Sequence, residues 1–324
     1  MHTIEQLQEI LAKAVKEQQY PANPAELYEP ISYLMALGGK RMRPVLLLMA
    51  CELFEGDIKK ALDAALAIEV FHNFTLMHDD IMDKAPIRRG QPTVHEKWDA
   101  NVAILSGDVM LVEGYKLLSK LEPELLKPAL QIFNETAVGV CEGQQLDMNF
   151  ESRAVVRLEE YLEMIRLKTA VLLGGALNIG AIIAKAPQKE AELLASFGEN
   201  LGIAFQLQDD ILDVYGDPDK FGKQVGGDII SNKKTYLLIK AKVLAQGETA
   251  SELNYWLNQT VFKAEDKVSA VTAIYERLQV RQLAEADMQH YAEKALAELA
   301  SISVSSERKT ALQGFAEQLL VREH

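Results

Sequence analysis

The chain has 324 residues, 48% of them hydrophobic and 25% charged, and carries a formal net charge of -13. This balance supplies a sizeable core, and the acidity excludes a general electrostatic attraction to nucleic acid or to anionic lipid. Only ten prolines and nineteen glycines are spread over the whole length, which favours long helices over many short strands.

Ile4, Leu7, Ile10, Leu11 and Val15 form an amphipathic helical stripe. The same stretch, Met1 to Tyr20, alternates charged and apolar residues and lacks the apolar core of a signal peptide. Cys51 and Cys141 do not resemble a secreted disulfide framework, so free thiols in a reducing cytoplasm are expected. Gly38-Gly39-Lys40-Arg41-Met42-Arg43-Pro44 comes next. Its glycines allow a tight turn, after which Lys40 and Arg43 can face an anion, Arg as a fork and Lys as a point charge. The spacing is not that of a P-loop.

Asp57 to Asp83 is a long Ala- and Leu-rich run without Gly or Pro, ending in Asp79-Asp80-Ile81-Met82-Asp83. A turn at Ala85–Pro92 follows, and Arg88-Arg89-Gly90-Gln91-Pro92-Thr93 carries a second basic group. Further helices are expected over roughly Val102–Lys120, Leu125–Phe150, Val155–Ala186, Lys189–Asp213, Lys234–Ala245, Ser251–Gln259 and Val261–Ala300. The most apolar stretch, Ala170–Ala186, is interrupted by Gly174, Gly175 and Gly180 and is shorter than a membrane span, so it reads as a buried helix. No alternating strand pattern bounded by hairpin turns appears, and no Ser/Gly-rich linker divides the chain. The expectation is one all-α domain over residues 1–324 with two functional loops.

Asp209-Asp210-Ile211-Leu212-Asp213 repeats the first acidic string. Residues four apart share a helix face, so Asp79 pairs with Asp83 and Asp209 with Asp213, while Asp80 and Asp210 turn aside. Like charges at this spacing repel by a few tenths of a kcal/mol per pair and call for a compensating cation. Carboxylate oxygens without Cys suit a hard ion: Mg²⁺ takes one or two carboxylates, keeps waters and completes its shell from phosphates. A single such cluster is more often a solvated helix end; two copies behind apolar helices favour the metal. Lys168-Thr169, Lys223 and Lys233-Lys234-Thr235 extend the basic set, although each Lys alone reads as a surface charge. His72, seven residues before Asp79, reads from the residues alone as a hydrogen-bonded core histidine, and His78 and His95 as structural.

These strings resemble the trans-type polyprenyl diphosphate synthases, the farnesyl and geranylgeranyl diphosphate synthase family. The matching segments are GGKRMRP at Gly38–Pro44, FHNFTLMHDDIMD at Phe71–Asp83, RRGQPTVH at Arg88–His95 and SGD at Ser106–Asp108. GQQLD at Gly143–Asp147, KT at Lys168-Thr169, FQLQDDILD at Phe205–Asp213 and GKQVGGDIISNKKT at Gly222–Thr235 complete the series in family order. The last ninety or so residues match no motif.

The resemblance implies an all-α prenyl-synthase bundle around a central cavity, usually a homodimer. It implies Asp79, Asp83 and Asp209 as Mg²⁺ ligands, three ions with bound diphosphate, and water held by Asp80, Asp210 and Asp213. It further implies an isopentenyl diphosphate site at Lys40, Arg43, His72 and Arg89. The implied allylic diphosphate site is Arg88, Lys168, Thr169, Gln206, Lys223 and Lys233. Asp79, Asp83, Arg88, Lys168, Asp209 and Lys223 would carry the catalysis.

Phe74 lies five residues before Asp79, about 7.5 Å deeper along the helix at 1.5 Å per residue. An aromatic there suits short-chain members of the family. The expectation is that Phe74 floors the tail pocket and stops growth at C15 or C20, with C20 ahead. A terpene cyclase would need neither the Gly38–Pro44 group nor the second acidic string, and a non-catalytic partner subunit would not need all six aspartates.

Overall fold

A computed structural model describes residues 1–217 and 225–320. The described residues are almost entirely helical, as expected. The order is α1 (Ile4–Glu17), α2 (Ala25–Ala36), α3 (Met42–Leu53), α4 (Ile58–Met82), β1 (Ile87–Arg88), β2 (Gln91–Pro92), α5 (Val94–Lys97), α6 (Ala100–Leu118) and α7 (Pro123–Ser152). Then come α8 (Leu158–Ile165), a π-helical turn (Arg166–Ala170), α9 (Val171–Ile183) and α10 (Gln188–Tyr215). Beyond these follow α11 (Gly227–Ser231), α12 (Tyr236–Leu244), α13 (Gly247–Asn258), α14 (Ala264–Arg277), α15 (Val280–Ser301) and α16 (Ser306–Leu320). Contacts group the described residues into two compact units. The first draws on Met1–Asn134, Gly175–Ala195 and Ser303–Leu312, and the second on Glu135–Gly174 and residues 196–217, 225–302 and 313–320.

In the first unit α4 packs against α3 and α6. Asp57 caps α4 by accepting from the Lys59 N–H at 2.9 Å. Every residue from Ala64 to Phe71, Glu69 included, is buried, so α4 is enclosed on all sides here. α3 starts with Pro44 in its first turn, where a missing N–H costs nothing. α1 is closed by a Thr3–Gln6 capping box and buries Leu7, Leu11 and Val15 from the expected stripe.

The second unit has its own core. Tyr161, Ile203, Leu207, Tyr236, Ile274 and Tyr275 are among its buried residues. Its π-helical turn is placed by a close approach. A Cβ at Gly143 on α7 would collide with the Lys168 backbone, so only glycine lets α7 lie against that turn.

Three local expectations are corrected. The Val261–Ala300 run is two helices, broken where Gln279 takes a left-handed φ of 54°. A two-residue β-hairpin occupies the Ala85–Pro92 turn, with positive φ at Arg89 (51°) and Gly90 (75°), as tight hairpin turns require. The apolar run is helical and mostly buried, as the Val155–Ala186 reading expects, but it is longer than the expected Ala170–Ala186. Leu158–Ile183 is one helical stretch of 26 residues, long and apolar enough to cross a membrane, with 61% of its apolar window buried. Glycine lowers helix propensity without ending a helix that is packed on its neighbours.

Candidate active site

The first acidic string closes α4. Asp80 is buried, at 3% exposure, and both of its oxygens accept from Arg88: Nε at 3.0 and 2.8 Å and Nη2 at 2.7 Å. This is the fork-on-carboxylate pairing that gives strong, oriented bonds. The hairpin supplies Arg88 from β1, so the tight turn and the acidic helix end fit together. Asp79 is half-buried, and Asp83, one turn on, is exposed. The helical spacing therefore turns Asp80 aside from Asp79 and Asp83, as expected, and the structure buries it.

Behind this cluster is a group of basic side chains. Arg43, on the first turn of α3, donates from Nη1 to His72 Nε2 at 3.1 Å. Arginine has only donors, so Nε2 is the accepting nitrogen and His72 is neutral. Burial, then Arg43, Arg89 and Arg88, hold the imidazole well below its ordinary range. Burial likewise lowers Arg43 to about 10. Arg43 Nε is buried with no hydrogen-bond partner. Arg89 donates to the Gly38 carbonyl, and a Cβ at Gly39, where φ is 136°, would strike its guanidinium. Lys40 is exposed on the same loop, with its carbonyl accepting from Gln8 at 2.9 Å. Arg43 and His72 are thus in contact, and Arg89 meets the loop that carries Lys40.

Glu69 belongs to this group, although no sequence motif marks it. It is 4% exposed and accepts from Asn73 at 3.2 Å. Burial raises its carboxyl above the usual range, against the opposing pull of Asn73, Arg41, Arg43 and Arg89. The available signal is one acid inside the otherwise apolar stretch Ala64–Phe71, one turn before His72 and Asn73.

The second acidic string lies on α10. Here too the middle aspartate is inward. Asp210 is 5% exposed and its Oδ2 accepts from the Tyr161 hydroxyl at 2.5 Å and the Tyr236 N–H at 3.0 Å. Burial pushes its carboxyl up to about 7, partly offset by Tyr161 and by the Tyr236 N–H. Asp213 Oδ2 accepts from the Asp228 N–H at 3.0 Å, which ties α11 to the end of α10. Asp209 is half-buried.

Of the expected allylic-site residues in this unit, Lys168 and Lys233 lie against acids and Thr169 against an amide. Lys168, from the π-helical turn, donates to Asp147 at 2.6 Å. Thr169 donates to Gln206 at 3.3 Å, and Lys233 lies 3.9 Å from Asp228. Just before Lys233, Asn232 takes a left-handed φ of 56°. The fully buried Lys267 fixes it, donating to Asn232 Oδ1 at 2.7 Å and to the Ile230 carbonyl at 3.1 Å. Tyr161 and Lys267 escape a reading of the sequence, because nothing local marks a residue that acts through a distant partner, and Asp228 lies in the matched Gly222–Thr235 segment but is given no role there. Lys223 and the Val321–His324 tail lie outside the described residues.

Among the described residues, no three carboxylate, imidazole or thiol side chains converge to hold a metal by themselves. Each acidic string instead presents hard oxygens in twos, Asp79 with Asp83 and Asp209 with Asp213. That donor set fits a Mg²⁺ ion which draws its other ligands from water and phosphate.

A family model described as polyprenyl synthetase matches residues 24–276. The chain is 43% identical over 230 residues to the geranylgeranyl diphosphate synthase of Methanosarcina mazei, covering 70% of this chain and 71% of that one. It is 36% identical over 327 residues to the short chain isoprenyl diphosphate synthase of Methanothermobacter thermautotrophicus, covering 100% and 99%. Among solved structures, a geranylgeranyl pyrophosphate synthase crystal structure is similar at TM-score 0.96 and 44% identity over 100% of both chains.

Proposed function

We propose that this chain, which belongs to the polyprenyl synthetase family, condenses isopentenyl diphosphate with allylic diphosphates to make a linear C15–C20 prenyl diphosphate, with C20 ahead of C15. The observation that carries the reading is the repeated arrangement of the acidic strings. In each, the middle aspartate is buried and held by the protein, Asp80 by Arg88 and Asp210 by Tyr161, and the two aspartates that flank it stand four positions apart. The similarity to geranylgeranyl and short chain isoprenyl diphosphate synthases supports the short-chain product.

In the reaction, the allylic carbon–oxygen bond breaks to leave an allylic cation and diphosphate. The isopentenyl double bond attacks that cation, and the adduct loses a proton to the departing diphosphate. Mg²⁺, held by Asp79, Asp83 and Asp209 as three ions with bound diphosphate, would neutralise the leaving charge. Lys168, Lys223, Lys233 and Arg88, with Thr169 and Gln206, would bind the allylic diphosphate. Lys40, Arg43 and Arg89 would bind the isopentenyl diphosphate, beside a neutral His72 that adds a hydrogen bond. Arg88 would be oriented by Asp80, and Lys168 by Asp147. Preorganised positive charge acts most strongly where water is excluded, and the cation needs that exclusion because water would quench it.

Phe74 would close the tail pocket. Its ring is half-buried on α4, packed on Phe71 at 5.7 Å and on His78 at 4.8 Å between ring centroids. The protein would act as one domain and as a homodimer in the cytoplasm, joined through α6. That helix exposes Ile104 (42%), Leu105 (58%), Val112 (56%) and Tyr115 (38%) on one face.

The test is a product assay with Mg²⁺, labelled isopentenyl diphosphate and dimethylallyl, geranyl or farnesyl diphosphate in separate reactions. Linear products that vanish with a chelator are expected. Asp79→Ala and Asp209→Ala should each lose about 10²–10³ in kcat, the scale of removing one preorganised electrostatic group. No elongation from any primer would reject the reading.

A further inference from the structure

We propose that His78 is a positioning residue for Phe74, so that product length is set by a clamp between α4 and α6 as well as by the Phe74 ring. The inference rests on the reading of Phe74 as the floor of the tail pocket. The sequence motifs give His78 no such role, since it merely precedes Asp79 and reads there as structural.

Three contacts support this role, all within the first unit. His78 is one helical turn beyond Phe74, on the same face of α4. Their rings meet edge to face at 4.8 Å and 67°, a favoured aromatic geometry. His78 is itself tied to α6. Its Nε2 is 3.1 Å from the Ile104 carbonyl, and since a carbonyl only accepts, Nε2 carries the proton. One turn further along α6 sits Gly107, where a Cβ would run into the imidazole ring. The imidazole therefore fills a slot that exists only because residue 107 lacks a side chain. On its other side Phe74 touches Phe71, and Phe71 meets Phe133 at 5.2 Å and 71°.

Phe74 is thus held between a ring anchored in the core and a ring anchored on α6. A half-buried phenylalanine beside open space can swing to another staggered rotamer. The imidazole blocks one of those swings. Without it, the floor gains room towards α6 and a longer tail fits.

The experiment compares product lengths from Phe74→Ala, His78→Ala, the double variant and Gly107→Ala, all made from isopentenyl and farnesyl diphosphates with Mg²⁺. Phe74→Ala is expected to lengthen the product. His78→Ala should raise the ratio of longer to normal product by about two- to tenfold, the range that one aromatic edge contact can sustain. The double variant should match Phe74→Ala alone, because the two side chains act through one wall. Gly107→Ala, which displaces the imidazole from another helix, should shift length in the same direction, and adding His78→Ala to it should produce no further shift. His78→Gln keeps a donor for the Ile104 carbonyl but lacks the ring, so it should behave like His78→Ala.

If Phe74→Ala lengthens the product while His78→Ala and Gly107→Ala leave it unchanged, the positioning role is overturned and the floor stands. If Phe74→Ala has no effect, the floor reading fails and the inference falls with it, whatever His78→Ala does. If His78→Ala does not fold, Gly107→Ala decides, since it leaves His78 in place.

Discussion

His72 is a residue whose chemistry is set by its surroundings. Its folded-state pKa lies well below the ordinary 6.5, so at mildly acid pH the unfolded chain takes up a proton that the folded chain refuses. Stability then falls as pH drops below about 6.5, by up to about 1.4 kcal/mol per pH unit until the folded pKa is reached. Above that range His72 contributes no slope. Urea midpoints between pH 5 and 8 should show this fall, and His72→Asn should flatten it by close to one proton. An unchanged slope in the variant would mean that another group carries it. The same neutral ring explains how a histidine can sit against Arg43: it offers a lone pair to a buried guanidinium without adding charge. Only part of this is legible in the sequence. The motifs mark His72 and Arg43, which are 29 positions apart, but their contact and the buried Glu69 beside them are out of reach of local spacing.

At the level of elements, the hairpin and the π-helical turn do the positioning. The hairpin needs left-handed backbone at Arg89 and Gly90, and in return it sets Arg88 on Asp80 while Arg89 reaches the Gly38 loop. The π-helical turn is a short departure from the α-helix of the kind often found at functional sites. It carries Lys168 and Thr169 and is pressed against Gly143. Gly143→Ala should push the turn away and separate Lys168 from Asp147. The expected outcome is an allylic-substrate KM raised by about tenfold, corresponding to one lost charge-assisted bond of roughly 1.5 kcal/mol. The isopentenyl KM should be unchanged. Steady-state kinetics with each substrate varied in turn separates these outcomes, and an equal change in both would point to a general distortion.

For the whole molecule, an overall charge of -13 opposes the binding of two diphosphates, so the site depends on local basic groups. Rates at low substrate should change with ionic strength in a manner set by those groups over a distance of about 8–10 Å. The exposed α6 face makes a separate prediction. An apolar row on a charged protein is a feature of interaction surfaces, and a second copy would cover it with the same row. Leu105→Glu with Val112→Glu should convert the protein to monomer in light scattering after size-exclusion chromatography. An unchanged mass would place the dimer contact elsewhere or exclude a dimer.

The helical class, the two acidic strings and the family are all legible in the sequence. Each depends on local spacing: apolar periodicity, carboxylates one turn apart, and basic residues beside glycines. That Asp80 and Asp210 turn aside from their neighbours is legible too, because helix geometry alone separates them, but that they turn inward is not. The partners those residues meet emerge only in the folded chain. Asp80 is held by Arg88 through a hairpin too short to leave an alternating pattern, and Asp210 by Tyr161 from another helix. Lys168 meets Asp147 where only a glycine at 143 lets α7 lie against the π-helical turn, and His78 meets Gly107 on another helix. Burial and pairing arise from segments distant in the chain, and periodicity carries no record of which distant side chain fills the space.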